Sequence, residues 1–281
     1  EHEFLRNYYE IDSVGWGTPF LLVPEAVNMD RPTLNRLSNA REKDLFLSNI
    51  SPLGVPFNNL RGNTKDEERD RNIQNGHPGS KCIKQYCSLN SEFQDKPVCT
   101  ASRGYQRNKL NELEQSGWTL PSDVREQTHQ ITEKSCICVG LGTSALIANN
   151  IETSKEGTGV SVCPGPNMAY FAGETSLKNM VDHIYGKSNV MTRKDRPNMF
   201  VRELELYVDH LKEKIEESSA EDSREVKRLE KFGKALIGGV EYYKKLYSNN
   251  LQIPVGAHST PLDHLEEMKK QVDGLMERLQ P

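Results

Sequence analysis

Two glycines and a threonine offer the most specific chemistry in this sequence. In Ile11-Asp12-Ser13-Val14-Gly15-Trp16-Gly17-Thr18-Pro19-Phe20-Leu21-Leu22, a short strand pattern ends in a glycine-containing turn and runs on towards a helix. That is the local design of a phosphate-binding loop, in which glycines admit the ligand to the backbone and free N–H groups face an anion. Taken by themselves, Gly15 and Gly17 also fit an ordinary tight strand-to-helix turn, because short glycine patterns recur without function.

Six cysteines form the second group: Cys82, Cys87, Cys99, Cys136, Cys138 and Cys163. No C-x2-C pair of the zinc-ribbon or ferredoxin kind occurs among them. Cys82, Cys99, Cys138 and Cys163 lie near turn-forming residues and could converge. Burial as ordinary small apolar residues is the plainer expectation. A third candidate, Gly140-Leu141-Gly142-Thr143-Ser144-Ala145, fits G-x-G-x-x-A after the strand pattern Cys136 to Val139. A dinucleotide site also needs a long helix, a second strand and an acid about 20 residues on. Thr153 to Gly159 breaks the helix early, so a tight start to a short helix is the simpler reading. Arg103, Arg107 and Lys109 near Tyr105 read as a solvated helix face. His77, His129 and His183 have no ligand or triad partner at diagnostic spacing.

Behind these groups, helix patterns cover Phe4 to Tyr9, Thr33 to Lys43 with Thr33 as cap, Asn63 to Asn75, Tyr105 to Gln115, and Ser122 to Glu133 with Ser122 as cap. Pro24 and Glu25 suggest a further helix start. A short strand is expected in Asp44 to Ile50, followed by a turn-rich connection over Ser51 to Pro56. From Asn198 to Gln280 the spacing predicts three packed helices, with Ser218 to Ser223 joining the first two. Their seams run through Phe200, Leu204, Val208, Leu211 and Ile215, then Leu229, Gly233, Leu236 and Val240, then Leu265, Met268, Val272 and Leu275. Gly233 predicts close approach by a neighbouring helix, or a bend.

Composition narrows the class. The formal net charge of −4 supplies no global basic field for nucleic acid or a membrane surface. No run reaches the roughly 18 apolar residues of a membrane helix. The first residues, Glu1 to Arg6, lack the basic and apolar regions of a signal peptide. Six cysteines in 281 residues do not make a secreted disulfide scaffold, which points to a reducing cytoplasm. The chain has no initiator Met and starts in a helical pattern, as a piece of something longer would.

The stretch Asp12 to Glu25 resembles the last barrel strand of the nitronate monooxygenase (2-nitropropane dioxygenase) family. That family shows there a small residue, Val, two variable positions, Gly-Thr, one variable residue, Phe-Leu and Pro-Glu. Asp44-Leu45-Phe46-Leu47-Ser48 and Gly54-Val55-Pro56-Phe57-Asn58-Asn59-Leu60-Arg61-Gly62-Asn63 are similar to its post-barrel strand and its Gly-x-Pro-to-Arg-x-x-Asn stretch. Two departures stand: Trp16 replaces a middle-sized residue, and Asn63 follows Arg61 by only two positions.

The resemblance implies an FMN-dependent TIM-barrel oxidoreductase acting on a small-molecule substrate. Gly15, Trp16, Gly17 and Thr18 would lie at the FMN phosphate. The implied fold is an α/β remnant, the last strand–helix unit of a barrel, followed by a mainly α C-terminal extension. The implied domains are 1–63 as the barrel end, 64–196 as a turn-rich cysteine-bearing segment, and 197–281 as a helical bundle that braces the barrel or joins subunits of a homo-oligomer. A full barrel needs about 250 residues, so the catalytic residues would lie upstream of Glu1 and this chain would not be active alone. Two alternatives stand beside it: a non-catalytic helical binding or assembly module, and a cysteine-ligated metal or iron–sulfur module.

Overall fold

The computed structural model describes residues 2–48, 50–51, 55–117, 121–192, 196–218, 223–250 and 261–279. The expected turns at Pro52 to Gly54 and at 219–222 lie outside the described residues. The chain forms two compact units, one of Glu1–Trp16 with Met191–Pro281, the other of Gly17–Val190.

The first unit is helical. It contains α1 (His2–Tyr8), α8 (Met199–Glu217), α9 (Ser223–Asn250) and α10 (Pro261–Glu277). Asn198 caps α8, its side chain accepting from the Phe200 N–H. The seams of the three long helices meet one another: Leu204, Val208, Leu211, Leu229, Leu236, Val240, Leu265, Met268 and Val272 share one buried cluster. At Gly233 α9 lies close against α10, and a Cβ there would run into the Met276 side chain, 3.1 Å from its Cγ. Gly238 and Gly239 have open space beside them, so close approach belongs to Gly233 alone. Phe4 of α1 packs edge-on to Phe200, which stacks on Tyr243.

The second unit carries α2 (Arg31–Ser38), α3 (Thr64–Gln74), α4 (Arg103–Gln115), α5 (Pro121–Thr132), α6 (Leu141–Ala148) and α7 (Leu177–Ile184). The only strands among the described residues are β1 (Leu45–Ser48) and β2 (Phe57–Leu60). They pair antiparallel, Leu45 opposite Leu60 and Ser48 opposite Phe57. The segment Gly159 to Val162 runs beside them, the Leu60 N–H reaching the Val162 carbonyl at 3.2 Å. Leu22, Leu37, Leu60, Val160, Met168 and Met180 are fully buried in this unit.

This architecture overturns the barrel remnant. Barrel strands are parallel and joined by helical crossovers, whereas β1 and β2 form an antiparallel pair. Ile11 to Val14 is not a strand but irregular, largely exposed chain. Asp12 and Ser13 interrupt the apolar run that a doubly buried strand requires. The mainly helical C-terminal part agrees with expectation. Cys136 to Val139 is likewise irregular, tied to its neighbour by the Ser161 N–H on the Val139 carbonyl at 2.8 Å. The cap of α2 is Asp30, not Thr33, whose N–H it accepts at 3.0 Å. Ser122 lies inside α5 and donates to Asp123. Pro24 and Glu25 sit in a turn. No helix among the described residues is long and apolar enough to cross a membrane.

Candidate functional site

The glycine turn leads into a short 3-10 helix, Thr18–Leu22, with Pro19 in its first turn. Pro19, Leu22 and Val23 are buried and anchor it, while Gly15 and Gly17 are exposed. Thr18 is held from its side chain: the Gly165 N–H donates to Thr18 Oγ1 at 2.9 Å. Gly165 is required there, because a Cβ would stand 2.9 Å from that oxygen and 3.1 Å from Asn167 Oδ1. The Asn167 oxygen is itself buried without a partner among the described residues. Since amide O and N are placed by their surroundings, the alternative rotamer would put an N–H donor at that position.

The turn offers donors. Among the described residues, no hydrogen bond is made by the backbone N–H of Gly15, Gly17 or Thr18. A Cβ at Gly15 or Gly17 would meet nothing within 4 Å. An anion can therefore approach Gly17 and Thr18 without steric opposition, and the Thr18 hydroxyl retains its own proton to donate. These groups fit a phosphate. Trp16 is turned elsewhere: its indole N–H donates to His2 Nδ1 at 3.0 Å. Gly15 and Trp16 belong to the first unit and Gly17 and Thr18 to the second, so one unit supplies only the latter pair. Gly165 and Asn167 escape a sequence reading because they join Thr18 from 147 and 149 residues away.

The cysteines are brought together more fully. Cys87 and Cys99 are buried with Ile50 and Ala101, and Cys82, Ile137 and Cys138 pack against them. Cys138 Sγ donates to Cys87 Sγ at 3.4 Å. The neighbouring Cys138, with burial, lifts the Cys136 pKa, and Cys136 in turn helps to lower that of Cys138. The hydrogen bond to Cys87 and burial outweigh that help, so Cys138 still titrates above an ordinary thiol. Burial pushes Cys99 up to about 12. Of the four cysteines that could converge, Cys82, Cys99 and Cys138 do so, joined by Cys87, while Cys163 is exposed. Among the described residues, no three Cys, His, Asp or Glu side chains are disposed to hold a metal ion.

The remaining candidates have structural work. Ser144 of the G-x-G-x-x-A run is fully buried and donates to Asp30, whose own N–H returns to Ser144 Oγ at 2.9 Å. Gly140 caps α6 close to the Ser161 carbonyl. Lys109 binds Glu92 and Glu112, and the Tyr105 hydroxyl donates to Glu92 at 2.7 Å. That part of the basic cluster fastens the cysteine-bearing segment to α4. Compared with models of known protein families, with curated proteins and with solved structures, the chain has no match in any of the three.

Proposed function

We propose that this chain is one part of an FMN-dependent oxidoreductase acting on a small molecule, and that its contribution is to grip the FMN phosphate. The observation that carries the reading is the open donor set at Gly17 and Thr18: two N–H groups with no partner among the described residues, and a hydroxyl oriented by Gly165. The resemblance over Asp12 to Glu25 supplies the identity of the anion. When bound, the flavin would supply electron or hydride transfer. The residues of this chain bind and orient its phosphate end, and none is assigned a step at the reacting atoms.

The test is binding of FMN against riboflavin, which lacks the phosphate, followed by flavin fluorescence on the full chain. FMN should bind tighter by tenfold or more, since hydrogen bonds to a charged group contribute about 1.5–3 kcal/mol and 1.4 kcal/mol is tenfold. Gly17→Val should abolish the difference and Thr18→Ser should keep it. Equal affinity for the two flavins, or no uptake of either, defeats the reading and leaves the non-catalytic helical module.

A further inference from the structure

The segment between α3 and α4, residues 75–102, contains no helix or strand. It is held by two isolated bridges, Ser80 with Ser102 and Asn90 with Val98. Structureless stretches of this length are uncommon in compact units, and usually functional when present. This one presents three cysteines to Ile137 and Cys138. Gln85, between Cys82 and Cys87, adopts a left-handed φ of 58°.

From this geometry we infer that Cys87 and Cys138 form a thiol–disulfide exchange site, with Cys138 as the attacking sulfur, Cys87 as the resolving sulfur, and a low-molecular-weight disulfide as oxidant. The two sulfurs already touch, 3.4 Å apart, and need to close to about 2.0 Å to bond. Cys138 is the more accessible of the pair and Cys87 is buried. Cys138 loses its proton and attacks one sulfur of the small disulfide RSSR, whose S–S bond breaks. RS⁻ leaves and takes up a proton, and a mixed disulfide stays on Cys138. Cys87 then attacks Cys138, the protein disulfide forms, and the second RS⁻ leaves to be protonated. Two protein thiols are oxidised, and RSSR is reduced to two RSH.

The site is independent of the flavin reading. Because the attacking Cys138 titrates above an ordinary thiol, the rate should rise about tenfold per pH unit between pH 6 and 8, following its thiolate fraction. The experiment uses the full chain equilibrated with reduced and oxidised glutathione at graded ratios. Free thiols are alkylated, and the products are mapped by mass spectrometry with fragmentation that separates Cys87 from Cys99 and Cys136 from Cys138. Alkylated cysteines should fall from six to four in one two-electron step, with Cys87 joined to Cys138. Cys136→Ser and Cys163→Ser should both leave the linkage unchanged. The wild-type map requires no variant to fold. The inference is overturned by a different linkage, by six alkylatable thiols at every ratio, or by stoichiometric zinc or iron that protects the thiols in the protein as isolated.

Discussion

The pair Lys65 and Glu68 on α3 should be the most sensitive polar contact in the second unit. The Lys65 side chain is only 3% exposed and that of Glu68 21%. Glu68 receives the ammonium on both oxygens, at 3.0 and 2.9 Å, and its Oε2 also accepts from the Thr158 hydroxyl and the Gly159 N–H, both at 3.2 Å. It therefore closes the 158–162 segment onto α3. That segment in turn holds Val139, next to the thiol cluster, through the Ser161 N–H. Glu68→Ala would leave a buried ammonium without a counter-charge and the Gly159 N–H without its acceptor. Removing one partner of a buried pair costs about 3–5 kcal/mol, because the remaining charge cannot regain water.

Glu225 and Arg228 provide an internal control. They have the same spacing on α9, but the Arg228 side chain is 68% exposed, and such a pair contributes only a few tenths of a kcal/mol. Since the chain has two units, a single melting midpoint would mix their transitions. Native-state hydrogen exchange at α3 and at Val160 and Ser161 isolates the relevant opening. Glu68→Ala should lower its free energy by about 3 kcal/mol or more, Glu225→Ala should leave it unchanged, and Lys65→Met with Glu68→Leu should restore most of the loss. A loss below about 1 kcal/mol, or a double variant weaker than Glu68→Ala, would refute the reasoning.

Two further perturbations test the fastening of the same unit. A Cβ at Gly159 would lie 2.8 Å from the Thr64 carbonyl oxygen and 2.9 Å from Lys65 Cα, so Gly159→Ala should cost about 1–3 kcal/mol in the same exchange measurement, and an unchanged value would contradict the close approach. Burial would raise the Glu92 pKa, but hydrogen bonds from Lys109 and Tyr105 outweigh it and hold the carboxyl below its ordinary 4.5. A depressed carboxyl stabilises above its ordinary value and loses that contribution as pH falls through the folded one. Exchange at 90–98 should therefore accelerate selectively on acidification below 4.5, and Glu92→Gln should remove the pH dependence.

Local pattern made part of the fold legible. Apolar steps of three and four located α8, α9 and α10, because each seam is satisfied within the bundle. Leu45 and Leu47 revealed β1 because both are buried on one face beside β2. Ile11 to Val14 failed as a strand because strand pattern is local while strand existence is not: isolated N–H and C=O groups need a second chain segment, and none lies there among the described residues. The thiol cluster was half legible. Cys82, Cys99 and Cys138 could be grouped by the turns around them, but nothing in the spacing singled out Cys87, which follows a left-handed Gln85 by two residues. Cys136 and Cys138 are two residues apart, so the alternating strand expected there would also have placed both on one face, and the irregular run does not separate the two readings.

The glycines divide by what a side chain would strike, and that division bears on the turn before Thr18. Gly79 is fixed by a φ of +85° and by Arg103 backbone at 2.6 Å, Gly159 by α3, and Gly165 by Thr18. Folding explains each of these. Gly17 is different: its φ is −82° and its ψ −61°, an ordinary right-handed conformation, and the space beside it is empty. Nothing in the fold asks for glycine there. Replacement by alanine at such a position restricts the unfolded chain and stabilises by about 0.4–1 kcal/mol. Gly17→Ala should therefore raise the stability of the second unit, measured by hydrogen exchange across Thr18 to Val23. If it destabilises instead, a packing role accounts for the glycine and the case for an anion at this turn weakens. If stability rises while Gly17→Val loses its preference for FMN over riboflavin, the glycine serves the ligand, because folding gains by losing it.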